Sequence, residues 1–365
     1  MAGVALSAFE DFFNTTGPSH PFSSDMVVND ASLRNYEAYD FLSRSKKEVK
    51  GGTSINDVVI FSDGDAAQTY LPGETGTIVN QQFTSTITVP WRQVRSYVEW
   101  NEHEIMKNGG DSSITRDSRF HQFKKLRDIK YQAAYSNLYT KMERLFVAAA
   151  SNDQMEADGG QEPHSIFSTI TSDGLAPPGY TTVQGINPTT ESNWRNQAAT
   201  YTFATPMDQD TGIIAGFDAM SQLVRFKRPE QASGDPKDFT DSDFKQVVVL
   251  TNREGRRDYM KAVRANNDIT RAGAQDPAYG DASFLGIRVK ACEGFDDQST
   301  FTAGQPGFVF LHGDFIKLIC HTDKWMDKSK PMDWAEKPDT RVVWFDNWLQ
   351  IFNRSRRRHG FLSAA

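Results

Sequence analysis

The sequence predicts an α+β protein organised around one long helix, and three observations carry the prediction. Residues 114–150 keep apolar side chains mostly at helical spacing for about ten turns. Two runs of strand composition, Ile55–Phe61 and Ile78–Val89, flank a connection containing Gly64, Pro72, Gly73 and Gly76. Beyond residue 165, short apolar runs of strand length alternate with amphipathic helical stretches around a core of their own.

Met1 to about Arg44 is polar and punctuated by Gly17, Pro18 and Pro21, with short apolar patches at Phe9–Phe13 and Tyr39–Leu42. Such a segment is expected to lie as an arm on something else. Lys46–Gly52 is a basic, glycine-ended joint. The two strand runs that follow are expected to pair as a long hairpin, Ile87 and Val89 alternating with threonines. A two-stranded ribbon is marginal in water by itself, so the hairpin needs a partner surface from the long helix or from a neighbouring subunit. Trp91–Met106 continues as an amphipathic stretch through Trp91, Val94, Tyr97, Val98 and Trp100, and Asn108, Gly109 and Gly110 then turn the chain.

The long helix is bounded by Thr115 as N-cap, Asp117 in its first turn, and a stop supplied by Asn152–Gly160. Its apolar positions are Phe120, Phe123, Leu126, Ile129, Ala133, Leu138, Met142, Leu145 and Phe146, with Lys, Arg, Asp and Glu between them, so a single stripe is available for burial. At about 50 Å the helix is longer than an ordinary domain is wide, which suits a girder under an extended body. The alternative, a coiled-coil arm, conflicts with apolar spacing that keeps no strict heptad beyond a few turns.

After a Gly-, Pro-, Ser- and Thr-rich stretch over Ser165–Asn187, Trp194–Phe203 returns to strand-like alternation. Gly212–Phe226 predicts a helix with Ile213, Phe217, Met220, Leu223 and Val224 on one face, ended by Pro229. Val247–Leu250 reads as a buried strand, with Thr251 or Asn252 capping a helix that runs through Arg264. Ser283–Ala291, Phe308–Leu311 and Phe315–Cys320 are further strands, the last two separated by the turn His312, Gly313, Asp314. Arg341–Phe352 is the final strand, followed by Arg354, Arg356, Arg357, Arg358 and His359. That cluster is either the solvated end of the strand or an electrostatic contact for phosphates or for acidic faces of neighbouring copies.

The 365 residues carry 38% hydrophobic and 24% charged side chains, the balance of a soluble globular protein. No run approaches the length of a membrane-spanning helix, and no signal-like start is present, so a protein made and used in a cytoplasm is expected. The net charge of −7 disfavours nucleic-acid binding by bulk charge. Cys292 and Cys320 are too few for a disulfide framework or a four-cysteine zinc site, and Cys320 reads as a core thiol. His103-Glu104 opens like a zinc-protease motif, but Lys107 stands where the second histidine belongs. Asp63, Asp65 and Glu74 match the first, third and twelfth positions of a calcium loop, while Ala67 leaves the fifth ligand unfilled and Gln68 replaces the glycine. With no nucleophile elbow, phosphate-cradling loop or dinucleotide fingerprint, no catalytic, cofactor-binding or metal-binding residue is predicted, and the protein is not expected to be an enzyme.

A polar arm, a long hairpin, a long helix, a central α+β lobe and a return strand, in that order, resemble the tailed-bacteriophage major capsid protein with its Hong Kong-phage-type fold. Locally, Val247–Thr251 is followed by a helix, Leu285-Gly286-Ile287-Arg288-Val289 is similar to the family's Leu-Gly-x-Pro-Val strand with Arg288 in place of proline, and Gly313-Asp314-Phe315 resembles its Gly-Asp-Phe turn. The resemblance implies an N-terminal arm at 1–44, an extended β-hairpin loop at 45–108, a peripheral domain at 109–164 with its spine helix at 114–150, an axial domain at 165–332, and C-terminal return strands of the peripheral domain at 333–365. It also implies self-assembly into hexamers and pentamers of an icosahedral virion shell around double-stranded DNA, assembled in the host cytoplasm. Contacts between capsomers through the loop and arm, a portal partner, separate scaffolding or decoration proteins, and non-specific contact with packaged DNA belong to the same implication. No cofactor and no membrane partner do.

Two departures qualify it. There is no lysine between Lys50 and Lys107, so the lysine–asparagine crosslink of some relatives is not expected from this loop, and an arm ending near Arg44 leaves no room for a helical scaffolding segment. Within the same fold an encapsulin-type compartment is the alternative; a phage tail or adaptor protein and an enzyme with an unrecognised site are the others.

Overall fold

The computed structural model describes residues 36–60, 84–101, 116–156, 160–208, 210–224, 247–265, 282–284, 287–297, 301, 305–334 and 337–365. The chain divides into two units, Asn35–Arg95 with Leu138–Asp327 and Asp346–Ala365, and Met1–Arg34 with Ser96–Asn137 and Lys328–Phe345.

The larger unit contains a six-stranded mixed sheet in the order β5-β14-β9-β6-β8-β7, comprising Gln197–Tyr201, Gly360–Ala364, Phe308–His312, Val247–Thr251, Ile287–Ala291 and Ser283–Phe284. At its centre β6 (VVVLT) and β9 (FVFLH) are buried at every position, which is why they read as unbroken apolar runs rather than alternating ones. They pair antiparallel, with Val249 opposite Phe310, while β8 runs parallel to β6, with Val249 opposite Val289. Two helices contribute to the core on this sheet, α3 (Ile213–Leu223) and α4 (Arg253–Ala265). Phe217 of α3 is the hub, its ring centroid 4.9–5.3 Å from those of Tyr259, Phe284, Phe308 and Phe310. Close approach of α3 to β14 requires Gly216, where a Cβ would stand 2.9 Å from a Leu362 methyl. Asn252 caps α4, its Oδ1 accepting from the Gly255 amide at 2.8 Å.

A second sheet of this unit brings β1 (Lys47–Val49) parallel to β10 (Ile316–His321), and β10 antiparallel to the C-terminal half of β13 (Lys337–Asn353), with Leu318 opposite Ile351. The expected hairpin is present as β2 (Ser54–Ile60) and β3 (Thr84–Pro90), paired from Ser54↔Pro90 to Ile60↔Thr84; residues 61–83 lie outside the described residues. The long helix is α2 (Arg116–Val147), whose C-terminal third buries Leu138, Met142, Leu145, Phe146 and Val147. Helix α1 (Glu37–Arg44), the described end of the expected arm, packs on that third through Tyr39, whose ring centroid is 5.1 Å from that of Tyr139 and whose ring stacks on Phe146, while its Ala38 and Leu42 are fully buried.

The smaller unit includes residues of β4 (Arg92–Asn101), the first two-thirds of α2, β12 (Met332–Trp334) and the N-terminal half of β13. Phe345 is fully buried there against Tyr131 and Tyr135, at centroid distances of 5.8 and 4.7 Å. Trp100 stands edge-on to Tyr131. Asp333 pairs with Arg341 across β12 and β13, in register and as an ion pair.

Several expectations are corrected. Ser283–Ala291 is two strands, β7 and β8, with Phe284 opposite Ile287, because the chain reverses between them. The Phe308–Leu311 and Phe315–Cys320 strands are present on either side of the expected turn, and that turn, closed by Phe315 N–H donating to His312 O, carries the chain from one sheet to the other. Leu223 is 45% exposed, since α3 ends there and its buried stripe passes through Met220 to Val224. On α2, Ala134 is buried and Ala133 exposed, one position from the expected stripe. The Trp91–Met106 stretch is a strand over Arg92–Asn101, with Val94, Val98 and Trp100 inward at period two. A final strand, β14, follows the arginine cluster.

Candidate assembly surfaces

The ribbon of β2 and β3 has two unlike faces. Ile55, Asp57 and Val59 lie opposite Val89, Ile87 and Ser85 on one face, and Ile55, Ile87 and Val89 are buried in a core with Ile186, Trp194, Ile319 and Phe352. The base is fixed by two further contacts. A two-residue turn at Gln184-Gly185, both at positive φ (54° and 88°), presents the Gln184 carbonyl to the Thr88 amide at 3.3 Å, and the turn is closed by Ile186 N–H donating to Val183 O. Gln350, fully buried, donates from Nε2 to Pro90 O at 2.9 Å and accepts the His164 amide at Oε1. The hairpin therefore takes its partner surface, at its base, from its own unit. The opposite face carries Asn56, Val58, Thr84, Thr86 and Thr88, and Val58 is 63% exposed. Val58 is thus the one large apolar side chain exposed among polar ones on the described part of this face.

The smaller unit presents a second apolar surface. The rings of Tyr97, Trp334 and Trp344 cluster with centroids 5.4–6.5 Å apart, Tyr97 is 52% exposed and Met332 48% exposed. Lys337 Nζ stands 5.6 Å over the Trp334 ring.

The arginine cluster singled out in the sequence is not one surface. Arg354 pairs with Asp57 of β2 at 2.8 Å, Arg357 donates to Asn193 Oδ1 at 2.7 Å, and Arg358 lies 5.7 Å over the Phe315 ring. Arg356 has no exposure at all. Its guanidinium donates to the carbonyls of Thr169 (2.6 Å), Leu175 (2.7 Å) and Trp194 (3.1 Å) and to Asn196 Oδ1 (3.0 Å), and burial depresses its pKa from 12.5 to about 9. The solvated-strand-end and phosphate-contact readings both fail for this residue: it is a structural cation holding three irregular segments to the C-terminal strand.

Glu143 is a joint that the sequence did not single out. It is 4% exposed on α2, and its carboxylate accepts from the amides of Ala38 (3.1 Å) and Tyr39 (2.6 Å) and from Cys292 Sγ (2.9 Å). It thus caps the N-terminus of α1 from another helix, a task no local pattern signals. Burial raises the Glu143 pKa, and burial followed by the Glu143 charge raises that of the Cys292 thiol. Both Cys292 and Cys320 are buried and free. Asp63, Asp65, Glu74, His103, Glu104 and Lys107 lie outside the described residues. Among the described residues no helix is long and apolar enough to cross a membrane.

No protein-family profile matches the chain, and no curated protein matches it. Solved structures do. A chain of the cyanophage A-1(L) capsid asymmetric unit matches with a TM-score of 0.60 at 15% identity, covering 95% of this chain and 97% of that one. The capsid of a native GTA particle matches with a TM-score of 0.52 at 14% identity over 95% and 96% of the two chains. The capsid of Myoviridae phage XM1 matches with 0.51 at 12% identity over 95% and 97%. At such identities the likeness is one of fold, and it runs nearly end to end: the chain has the α+β fold of the subunits in these capsids.

Proposed function

We propose that the chain is a major capsid protein of a tailed phage, assembling with copies of itself into hexamers and pentamers of an icosahedral virion shell around double-stranded DNA. The observation that carries the proposal is the end-to-end match, 95% of this chain with 97% of a cyanophage capsid chain. The aromatic cluster at Tyr97 and the exposed Val58 on the outward ribbon face supply surfaces for association. In this reading 1–44 is the arm, 45–108 the extended loop, 109–164 the peripheral domain with α2 as spine, 165–332 the axial domain and 333–365 the return strands. Shell stability then arises from many weak contacts repeated over a closed surface. Portal, scaffolding and decoration proteins and the packaged DNA are the partners such a shell engages, and assembly takes place in the host cytoplasm. No residue is assigned a catalytic task.

The test is electron microscopy of the purified protein after size-exclusion chromatography, with and without the scaffold. Closed shells or free hexamers and pentamers support the proposal, and a genome rather than docked enzymes inside them separates a virion from an encapsulin-type compartment. Open rings or tubes indicate a tail or adaptor protein. A monomer or dimer at all concentrations and salt conditions, with scaffold supplied, overturns it.

A further inference from the structure

A concave cavity of about 330 Å³ in the larger unit is lined by Glu37, Arg253, Arg256, Arg288, Lys290 and Glu293, with Ala282, Val289 and Ala291 completing the wall. Four cations thus meet two carboxylates in a chain whose net charge is −7. Each carboxylate is already engaged, Glu37 by Lys290 and Glu293 by Arg253. Arg256 and Arg288 are left with no carboxylate partner among the described residues, so the cavity holds an excess of two positive charges. Arg256 adds a sharper sign: its Nε is buried and has no hydrogen-bond partner among the described residues. A buried guanidinium N–H without an acceptor is costly unless something else supplies one.

The placement of these side chains follows from the secondary structure. Arg253 and Arg256 are three apart on the first turn of α4, so they share a face. Arg288 and Lys290 are two apart on β8, so they share the face opposite Ile287 and Val289, which are buried in the core. Helix and strand thus each contribute two cationic residues to the lining of one concavity. A carboxylate from another protein chain would fill little of such a volume and satisfy few of these donors. A chain of phosphate groups, bringing at least one negative charge per phosphate and several acceptor oxygens, matches both the charge excess and the number of donors.

We propose that this cavity is a binding site for phosphate groups, with Arg256 and Arg288 as the residues that hold them. The group comes either from a free polyphosphate or from the backbone of a polynucleotide, and the chemistry at the arginines is the same for both. Thermal unfolding of the full chain is measured against tripolyphosphate at constant ionic strength, with sodium chloride as the balancing salt. Saturable stabilisation is expected, and in R256Q/R288Q the apparent affinity falls by about tenfold or more, the loss of two charge-assisted contacts. R257Q, whose parent side chain instead pairs with Glu254 and Asp258 outside the cavity, is expected to bind as the wild type does. Should the double variant not fold, R288Q alone, replacing an exposed side chain, carries the comparison. A short DNA duplex that competes with tripolyphosphate in an Arg288-dependent way identifies a polynucleotide as the source; tripolyphosphate binding without competition identifies a free polyphosphate. Stabilisation no greater than that given by chloride, or equal binding by R256Q/R288Q, overturns the proposal.

Discussion

Replacement of Arg356 by methionine tests the account of the C-terminal cluster most directly. The substitution keeps the length of the stem and removes the guanidinium, leaving the carbonyls of Thr169 and Trp194 without a donor, while Leu175 O keeps the Thr171 hydroxyl and Asn196 Oδ1 keeps the Thr171 amide. Two orphaned buried acceptors at about 3 kcal/mol each and two lost bonds at acceptors that keep another donor, at about 1 kcal/mol each, cost about 8 kcal/mol. Against this, the variant no longer holds a charge out of water. The depression of the pKa from 12.5 to about 9 puts that released cost at about 5 kcal/mol. The net expectation is a loss of about 3 kcal/mol. Urea unfolding at a subunit concentration below assembly, followed by tryptophan fluorescence, measures it; Trp194 is a local reporter because its indole Nε1 donates to Val183 O at 3.1 Å in the same joint. Arg356→Lys falls in between, since an ammonium's three donors radiate from one point, and Arg357→Gln changes stability by less than about 0.5 kcal/mol. A loss below about 1 kcal/mol for Arg356→Met refutes the reasoning, because the bonds would then be worth no more than the desolvation they require.

Two further outcomes follow from buried groups. Burial lowers the pKa of His164 to about 4, with Arg92 adding to the effect, and that of His359 to about 3, with His312 and Arg356 adding. Both histidines are neutral in the fold while the unfolded chain takes up protons below pH 6.5, so stability is present above that value and is lost as pH falls; at pH 5 each costs about 2 kcal/mol relative to pH 8. Glu143, whose pKa is raised, acts in the opposite sense, so the clean measurement is the difference in pH slope between wild type and H164Q/H359N, with equal slopes refuting the assignment. At the hairpin, Ile87→Ala lowers stability by about 2–5 kcal/mol because Ile87 is fully buried at the base of the ribbon. Val58→Asn is expected to leave subunit stability unchanged and to lower the yield of shells by sedimentation; an unchanged yield removes the outward ribbon face from the assembly surfaces.

Legibility in the sequence tracked how local the cause was. Strands β6 and β9 were readable because a strand covered on both faces needs nothing but apolar side chains, and α2 because its span of 32 residues holds no glycine or proline and is rich in helix formers. The break inside Ser283–Ala291 was not, since Phe284 and Ile287 are equally apolar whether one strand runs through them or two strands meet. In β4 the half-buried Ser96 between Val94 and Val98 disguised an alternation that the strand does keep. The arginine cluster was the largest misreading. An arginine bound by backbone carbonyls leaves no mark of its partner type in the sequence, and the acceptors of Arg356 lie at Thr169, Leu175 and Trp194, more than 150 residues away. Glu143 was hidden for the same reason, its partners Ala38 and Tyr39 being backbone amides on a different helix.

These misreadings share a physical cause that bears on the function. Residues 160–196 contain only one- or two-turn helical pieces, so sheet ladders and long helices do not satisfy the backbone there. Side chains do it instead: Asn196 donates to Thr171 O at 2.7 Å and accepts the Thr171 amide, Gln350 accepts the His164 amide, and Arg356 collects three carbonyls. Residue types that in an enzyme would face a substrate are here turned toward main chain, where they fix irregular segments as firmly as regular ones. Under the proposed function a subunit that places the same surfaces in many copies needs that fixity at its joints, while exposed side chains such as Val58 on the ribbon and Tyr97 beside Trp334 serve weak contacts that repetition adds up.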